Sequence, residues 1–471
     1  MNKTKIIATI GPSSSDKTIL REMINTGLDV VRINLKHASY EFCKDIIKKI
    51  NELNLELNKT IAVMLDTRGP EVRIGKFLGG EAYLKKDSKI RIYMNELLGD
   101  STKFSVNYPG LINDVKYDTI LKLDDGLIEL KVLDKGEDYL LCQVLNDGVI
   151  KDNKGMNVLG IHLNIPFLSE KDKEDIKFAC ENNVDFIALS FVESSENILE
   201  VNDLLIHYGN DHIGIIAKVE NERALDEIDD IIRLSEGVMV ARGDLGVELP
   251  LEKVPGVQKM IINKCHLEGK ISIVATELLS SMETVIRPTR AEVSDVANAV
   301  LDGTDAVMLS GETTTGKYPV ETLQTMEKII KAAEVNIDYL GLLEKAIKTE
   351  DNDVTGILSY NVAETSTRLN CKAIIAPTVS GYTARKISRF KPKCPIIAST
   401  PNIDTAKSLM LHFGVCPVII EELKTFDRII NHARKITTDL IEINSGDKII
   451  ITGGYPFKEI KHTNFMKIEE L

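Results

Sequence analysis

Two carboxylates, Glu220 and Asp244, each close a short apolar run, GIIAKVE (214–220) and GVMVARGD (237–244). Hard oxygen donors of this kind suit Mg²⁺ or Mn²⁺, which need few protein ligands when substrate phosphates supply others. Cations occupy comparable places. Arg32 lies in VVRINL (30–35), Arg73 follows IAVMLDT (61–67), Lys218 stands two residues before Glu220, and Lys154 sits in KDNKG. Such groups neutralise phosphoryl oxygens. Gly243 and Gly246 flank Asp244 in ARGDLG, where a tight turn would offer backbone N–H groups to a carboxylate or phosphate. No obvious nucleophile accompanies them. A divalent metal, arginines and a lysine fit phosphoryl transfer by positioning and charge neutralisation. The plainer alternative is an ion pair of Glu220 and Asp244 with Lys218 or Arg242.

These side chains need elements that bring them to one place. Eight apolar runs recur: KIIATIG (5–11), VVRINL (30–35), IAVMLDT (61–67), FIALSF (186–191), GIIAKVE (214–220), GVMVARGD (237–244), ISIVATEL (271–278) and AVMLSGE (306–312). Segments of helical period separate most of them. EFCKDIIKKINEL is one, and NERALDEIDDIIRLSE, with Leu225, Ile228, Ile231, Ile232 and Leu234, reads as another single helix. The pattern predicts a parallel (β/α)₈ barrel, with an open doubly wound sheet as the rival. In VVRINLKHAS, Val31, Ile33 and Leu35 alternate with Arg32, Asn34 and Lys36, and His37 follows. A wet edge strand would explain that run alone. Further endings carry Asp66, Thr67 and Arg68, then Thr276 and Glu277, then Ser310, Gly311 and Glu312. Strands of a parallel barrel are covered on both sides, so six polar endings on one rim point to a site.

The rhythm breaks after the third run. Residues 70–166 hold short alternating runs broken by Gly, Asp and Asn, which predicts a small antiparallel β domain inserted at a βα loop. Helical pattern resumes at LSEKDKEDIKFACENN, with Ser169 as the expected N-cap. A second α/β rhythm starts near residue 340: CKAIIAPT, PIIAST, VCPVII, DKIIITGG and NFMKIEE. The expected domains are therefore 1–69 with 167–340 (catalytic barrel), 70–166 (lid) and 341–471 (a C-terminal α/β domain).

The chain has 471 residues and a net charge of −13. That charge argues against non-specific binding to nucleic acid or an anionic membrane. Seven scattered cysteines without a CxxC indicate reduced thiols rather than disulfides or zinc. The N-terminal apolar run is too short for a signal peptide, and no run is long enough to span a bilayer. A cytoplasmic protein is expected.

At ARGDLG a specific resemblance emerges. ATIGPSS, VRINLKHAS, LDTRGPEVRIG, KGMNVLG, KVEN, VMVARGDLGVELP, RPTRAEVSDVANAVLDGTDAVMLSGET and SGYTARKISRFKPKCPII follow, in order, the motifs of the pyruvate kinase family. The resemblance implies a (β/α)₈ barrel, a small inserted β-barrel domain and a C-terminal α/β domain. It implies transfer of the phosphoryl group of phosphoenolpyruvate to ADP, giving pyruvate and ATP in glycolysis, by a homotetramer. By motif, Glu220 and Asp244 would hold the divalent metal. Lys218 would neutralise the transferring phosphoryl group and the enolate oxygen. Thr276 and the backbone at Gly243, beside Asp244, would hold the substrate carboxylate, with Thr276 near the incoming proton. Arg32, His37, Arg73 and Lys154 would meet the ADP side. A monovalent cation, usually K⁺, would meet Asn34, residue 36, Asp66 and Thr67. Thr378, Ser380 and Thr383 would cradle a phosphorylated effector; plain N-capping of the following helix is the alternative.

Several positions depart from the family pattern. The usual N-F-S-H reads Asn34-Leu35-Lys36-His37, so a lysine stands at a cation ligand. Either its ammonium takes the place of K⁺, with Glu71 as counter-ion, or it turns to solvent and K⁺ binding is weakened. Glu193 and Glu277 add negative charge near an anion site, and Asn157-Val158-Leu159-Gly160 replaces NLPG. Lys461-His462-Thr463-Asn464 departs from the usual GTTN of the effector pocket. Lys36, Glu193 and Glu277 sustain an alternative, a catalytically weak paralogue that binds phosphometabolites as a regulator. A lyase acting on phosphoenolpyruvate or pyruvate is disfavoured by Arg32, Arg73 and the inserted domain.

Overall fold

Runs rich in Val, Ile, Ala and Met become strands buried on both faces, the composition expected of a parallel sheet under helices. In the computed structural model, which describes residues 2–347, 353–423, 425–455 and 462–471, eight such strands close a barrel. They are Lys5–Thr9, Val30–Asn34, Ala62–Asp66, Phe186–Leu189, Gly214–Val219, Gly237–Ala241, Ile271–Ala275 and Ala306–Leu309. Every neighbouring pair is parallel, and the first strand meets the last with Lys5 opposite Ala306. Closure removes the open-sheet rival. Inward-facing Ile7, Val30, Met64, Phe186, Ile216 and Met239 fill the interior, joined by Met410 and Leu411 from the C-terminal segment. Outward-facing Val31, Ile33, Val63 and Leu65 pack on the helices.

The strands stop one to three residues before their apolar runs do. The clearest case is the sixth, which ends at Ala241 because helix Arg242–Glu248 starts at the next residue. The segment 223–234 is two helices, Arg223–Asp226 and Ile228–Leu234, rather than one. Glu222 with Asp226, and Asp226 with Asp230, are like charges four apart, which weakens a continuous helix. The break falls at Glu227 (φ −108°, ψ 16°), and Leu234 lies outside the core at 41% exposure. Ser169 caps its helix as expected, in a reciprocal box with Asp172.

Between the third and fourth barrel strands lie a seven-stranded sheet and a two-stranded one. Most pairs are antiparallel, but Lys89–Tyr93 and Lys103–Ser105 run parallel because the chain between them crosses over rather than forming a hairpin. An Ile74–Val106 bridge and a Gly75 N–H to Ser105 carbonyl bond of 2.7 Å join the sheet's two ends around its own apolar core. The C-terminal residues form a five-stranded sheet in which Phe465–Glu470 is the single antiparallel strand. Among the described residues no helix is long and apolar enough to cross a membrane.

Candidate active site

The polar strand endings meet at the mouth of the barrel, the C-terminal ends of its strands, where a (β/α)₈ fold places its chemistry. Lys218 stands at its centre. Its Nζ lies 2.8 Å from Glu220 Oε1, 3.2 Å from Asp66 Oδ1 and 2.7 Å from Ser190 Oγ. Burial alone would push this ammonium down, but Asp66 and Glu220 reverse the effect and hold it above its usual range. Asp66 also receives Arg32, whose Nε is 2.7 Å from Oδ2, and Arg32 Nη1 donates to Thr9 Oγ1 at 2.8 Å. Burial raises the Asp66 carboxyl, yet Arg32 and Lys218 outweigh it and keep the carboxyl below its ordinary value. This answers the alternation of Arg32 and Asn34: the second strand is interior, and its arginine is a buried partner of Asp66.

Glu220 is buried and accepts a second bond from Phe191 N–H, at 2.6 Å. Phe191 reaches that geometry through a left-handed backbone (φ 57°), which bulky residues seldom adopt. Asp244 sits in the first turn of helix Arg242–Glu248, and its carboxylate has no hydrogen-bond or ion-pair partner among the described residues. Burial, then the charge of Glu220, pushes it up to about 7. Two crowded carboxylates short of positive charge fit a divalent cation. No cluster of three or more His, Cys, Asp or Glu side chains placed to hold a metal occurs among the described residues. The ion-pair alternative holds for one of the two acids only. Glu220 does pair with Lys218, whereas Arg242 turns to Asp295 at 2.7 Å and to the Thr276 carbonyl at 2.6 Å.

Thr276 follows the seventh strand with φ 68°, and Glu277 continues with φ 54°. Thr276 Oγ1 accepts from Gly243 N–H at 2.9 Å and donates to the Ala275 carbonyl at 2.6 Å. Hydroxyl and amide are thus paired beside Asp244. Ser310 and Glu312 serve structure. The Glu312 carboxylate accepts from Ser310 and Leu279 N–H groups at 2.7 and 3.1 Å. Arg68 pairs with Asp175 at 3.0 Å, away from the mouth.

A second charge group flanks the first. Lys36 Nζ is 2.7 Å from Glu71 Oε2, and Arg73 Nη2 reaches the same oxygen at 2.8 Å. Asn34 Oδ1 accepts the Lys36 N–H at 3.0 Å, and Thr67 Oγ1 accepts the Ser190 N–H at 3.2 Å. Gly155 stands opposite Arg73 in register, and a Cβ on it would lie 2.8 Å from Glu71 Oε1. The glycine lets Glu71 close in, and the Lys154 carbonyl accepts from Ile74 N–H at 3.0 Å. Lys154 itself pairs with Asp124 at 2.8 Å. Loss of water around its ring, then Lys36, Arg73 and Arg32, holds the His37 imidazole below its usual range. Of the two departures in charge, Glu277 is exposed and Glu193 pairs with Arg223 and His162, each at 3.1 Å.

Sequence reasoning missed Ser190, Phe191 and Thr9. Ser190 is the one polar residue of the run FIALSF, and a hydroxyl within an apolar run was the available signal; the Phe191 amide left none. In the C-terminal sheet, a cavity of about 90 Å³ is lined by Thr378, Ser380, Thr383, Ser399 and His462. Thr378 Oγ1 accepts from Gly381 N–H at 2.9 Å, and buried Thr383 shares a 2.8 Å hydroxyl contact with Thr463. Lys461 lies outside the described residues.

The comparisons agree with this geometry. Residues 1–323 match the family described as "Pyruvate kinase, barrel domain", and residues 357–469 match "Pyruvate kinase, alpha/beta domain". The pyruvate kinase of Staphylococcus saprophyticus is 45% identical over 470 residues, 99% of this chain and 80% of the relative. That of Clostridium perfringens is 43% identical over 474 residues, the whole of both chains. With both parts matched and the buried lysine–carboxylate cluster in place at the mouth, the chain belongs to the pyruvate kinase family.

Proposed function

We propose that the mouth of the barrel transfers the phosphoryl group of phosphoenolpyruvate to ADP through Lys218, Thr276, Arg32 and Arg73, giving pyruvate and ATP. The observation that carries this reading is the Lys218 ammonium, buried and kept charged by Asp66 and Glu220. A preorganised cation in a water-poor site stabilises the charge that develops on the enolate and phosphoryl oxygens. Thr276 and the backbone around Gly243 hold the substrate carboxylate, their bond to each other opening to receive it, with Thr276 near the path of the incoming proton. Glu220 and Asp244 hold Mg²⁺ or Mn²⁺, which when bound supplies positive charge to the phosphoryl oxygens. Arg32, His37, Arg73 and Lys154 receive ADP, with residues 70–166 as the lid that excludes water.

Lys36 takes the place of the monovalent cation otherwise held by Asn34, Asp66 and Thr67. Its 2.7 Å contact with Glu71, shared with Arg73, and the engagement of Asn34 Oδ1 support this. The C-terminal residues 341–471 are assigned to assembly of a homotetramer and to a phosphorylated effector at Thr378, Ser380 and Thr383. The cavity there and its hydroxyls support the effector site.

Steady-state conversion of phosphoenolpyruvate and ADP with Mg²⁺ in potassium-free tetramethylammonium buffer tests these roles. The parent is expected to be active without K⁺, and Lys36→Ser to become K⁺-dependent. A parent active only with K⁺ would show that Lys36 does not stand in for the ion. A parent inactive in both would favour the weak paralogue.

A further inference from the structure

The helix that carries Gly243 and Asp244, Arg242–Glu248, has only seven residues. Its last carbonyls have no partner within the helix, as at any helix end. One of them, on Val247, is bonded from outside. Lys122 Nζ, on the inserted sheet, donates to it at 2.7 Å, a cation at the negative end of the helix. The next residue is held from the same side, where Asn157 Nδ2 donates to Glu248 Oε1 at 2.9 Å. The turn Asp124–Gly126, left-handed at all three residues, lies against the same place; a Cβ on Gly126 would be 3.7 Å from Val247 Cγ1. A third contact lands on the neighbouring loop. His162 Nδ1 is 3.1 Å from Glu193 Oε2, which Arg223 also holds.

We propose that Lys122 and Asn157, braced by His162 on Glu193, are positioning residues. They form a latch through which the inserted segment, when seated, caps and fixes the helix bearing Gly243 and Asp244. The proposal rests on the roles assigned above to those two residues. Closure of the lid and completion of the substrate-binding helix are then one event. The helix has an orphan carbonyl when the lid is away and a capped end when it is down. Glu193, read from sequence as a burden on substrate binding, is instead a landing point for the lid.

Lys122→Met keeps the aliphatic stem and removes the donor; Asn157→Leu removes the amide. Each is expected to lower kcat about 10-fold with KM for phosphoenolpyruvate within two-fold of the parent, and Lys122→Arg to keep most of the activity. Amide hydrogen exchange without substrate is the second readout. It should rise about 10-fold across residues 243–248 in Lys122→Met and stay unchanged in the strand Ile271–Ala275. A kcat within two-fold of the parent together with unchanged exchange at 243–248 would overturn the latch. So would exchange that rises equally in both segments, which would mean a general loss of stability. If the parent itself made no ATP, the roles of Gly243 and Asp244 would fail, while the exchange comparison would still decide whether the contacts hold the helix.

Discussion

At the floor of the barrel, Asp29, Asp185, Glu236 and Asp305 each stand immediately before an even-numbered strand. Three of them accept a backbone N–H from the preceding odd strand's segment: Ile6 to Asp29 at 2.8 Å, Val63 to Asp185 at 2.7 Å and Ser272 to Asp305 at 2.9 Å. Each of the four also has a cation: Lys5, Lys407, Arg385 and Lys391 respectively, three of these from the C-terminal part of the chain. The mouth uses the same residue types to a different end. Asp244 has no partner, Glu220 and Asp66 share one lysine, and the backbone is left-handed at Phe191, Thr276 and Glu277. Charges at the floor are matched and join two parts of the chain. Charges at the mouth are only partly paired. Buried charge alone therefore does not mark a site; an acid left without a cation of its own does.

The largest effects expected come from removing one buried lysine at each end. Lys218→Met should lower kcat about 10³-fold, the scale for losing a preorganised electrostatic group. Its melting midpoint should fall as well, since Asp66 keeps Arg32 at 2.6 Å but buried Glu220 loses its cation. Lys391→Met should lower stability and spare the chemistry. It leaves Asp305 buried without its cation, a loss of about 3–5 kcal/mol, with kcat per folded molecule within two-fold of the parent. Steady-state kinetics and thermal melting on both variants check this. Equal effects of the two on activity would erase the distinction between the ends.

The two ends also differed in how far the sequence could be read. The strands were legible because an apolar run buried on both faces is a strong local signal, and so were the polar residues that end them. The partners were not. Nothing local tells that Arg242 leaves Asp244 for Asp295, or that Lys36 closes on Glu71. The floor acids went unremarked because each lies in an ordinary loop position, and their cations come from as far away as Lys391 and Lys407. The parallel pair in the inserted sheet depends on tertiary packing that overrides local period; the like charges that split the helix at Glu227 were in the sequence and went unweighed.

Acid should expose the floor next. Burial, then Lys391 and Arg389, pushes His266 down to about 3; burial, then Arg385 and Lys391, pushes His412 well below its usual value against nearby Glu236. An unfolded imidazole protonates near pH 6.5. Below that pH the unfolded chain takes up protons that the folded chain refuses, so each imidazole removes about 1.4 kcal/mol of stability per pH unit. Asp185 acts oppositely. Burial raises it to about 6 despite Lys407, so the folded form protonates first and gains stability as pH falls from about 6 towards 4. Asp244, raised to about 7 by burial and Glu220, acts in the same direction as Asp185, so two imidazoles against two carboxyls nearly cancel between pH 6 and 5. Melting midpoints of the parent should be nearly flat over that range, and those of His266→Gln should rise as pH falls, by the equivalent of about 1.4 kcal/mol per unit. Parallel slopes would mean that His266 is protonated or hydrated in the fold.

The smallest effect sharpens the contrast at the mouth. Glu277 is exposed and left-handed, so its conformation costs of order 1 kcal/mol with no buried contact to offset it. Glycine adopts that conformation freely but loses more entropy on folding. Glu277→Gly should therefore raise stability by about 0.5 kcal/mol, and Glu277→Gln, which keeps the strain and removes the charge, should leave it unchanged. Kinetics separates the two causes. If the strained turn holds Thr276 against Gly243, kcat falls in Glu277→Gly and not in Glu277→Gln. If instead the negative charge is what matters to the substrate, both variants lower KM for phosphoenolpyruvate and leave kcat alone. A glycine variant no more stable than the parent would mean that the left-handed turn is held at no cost.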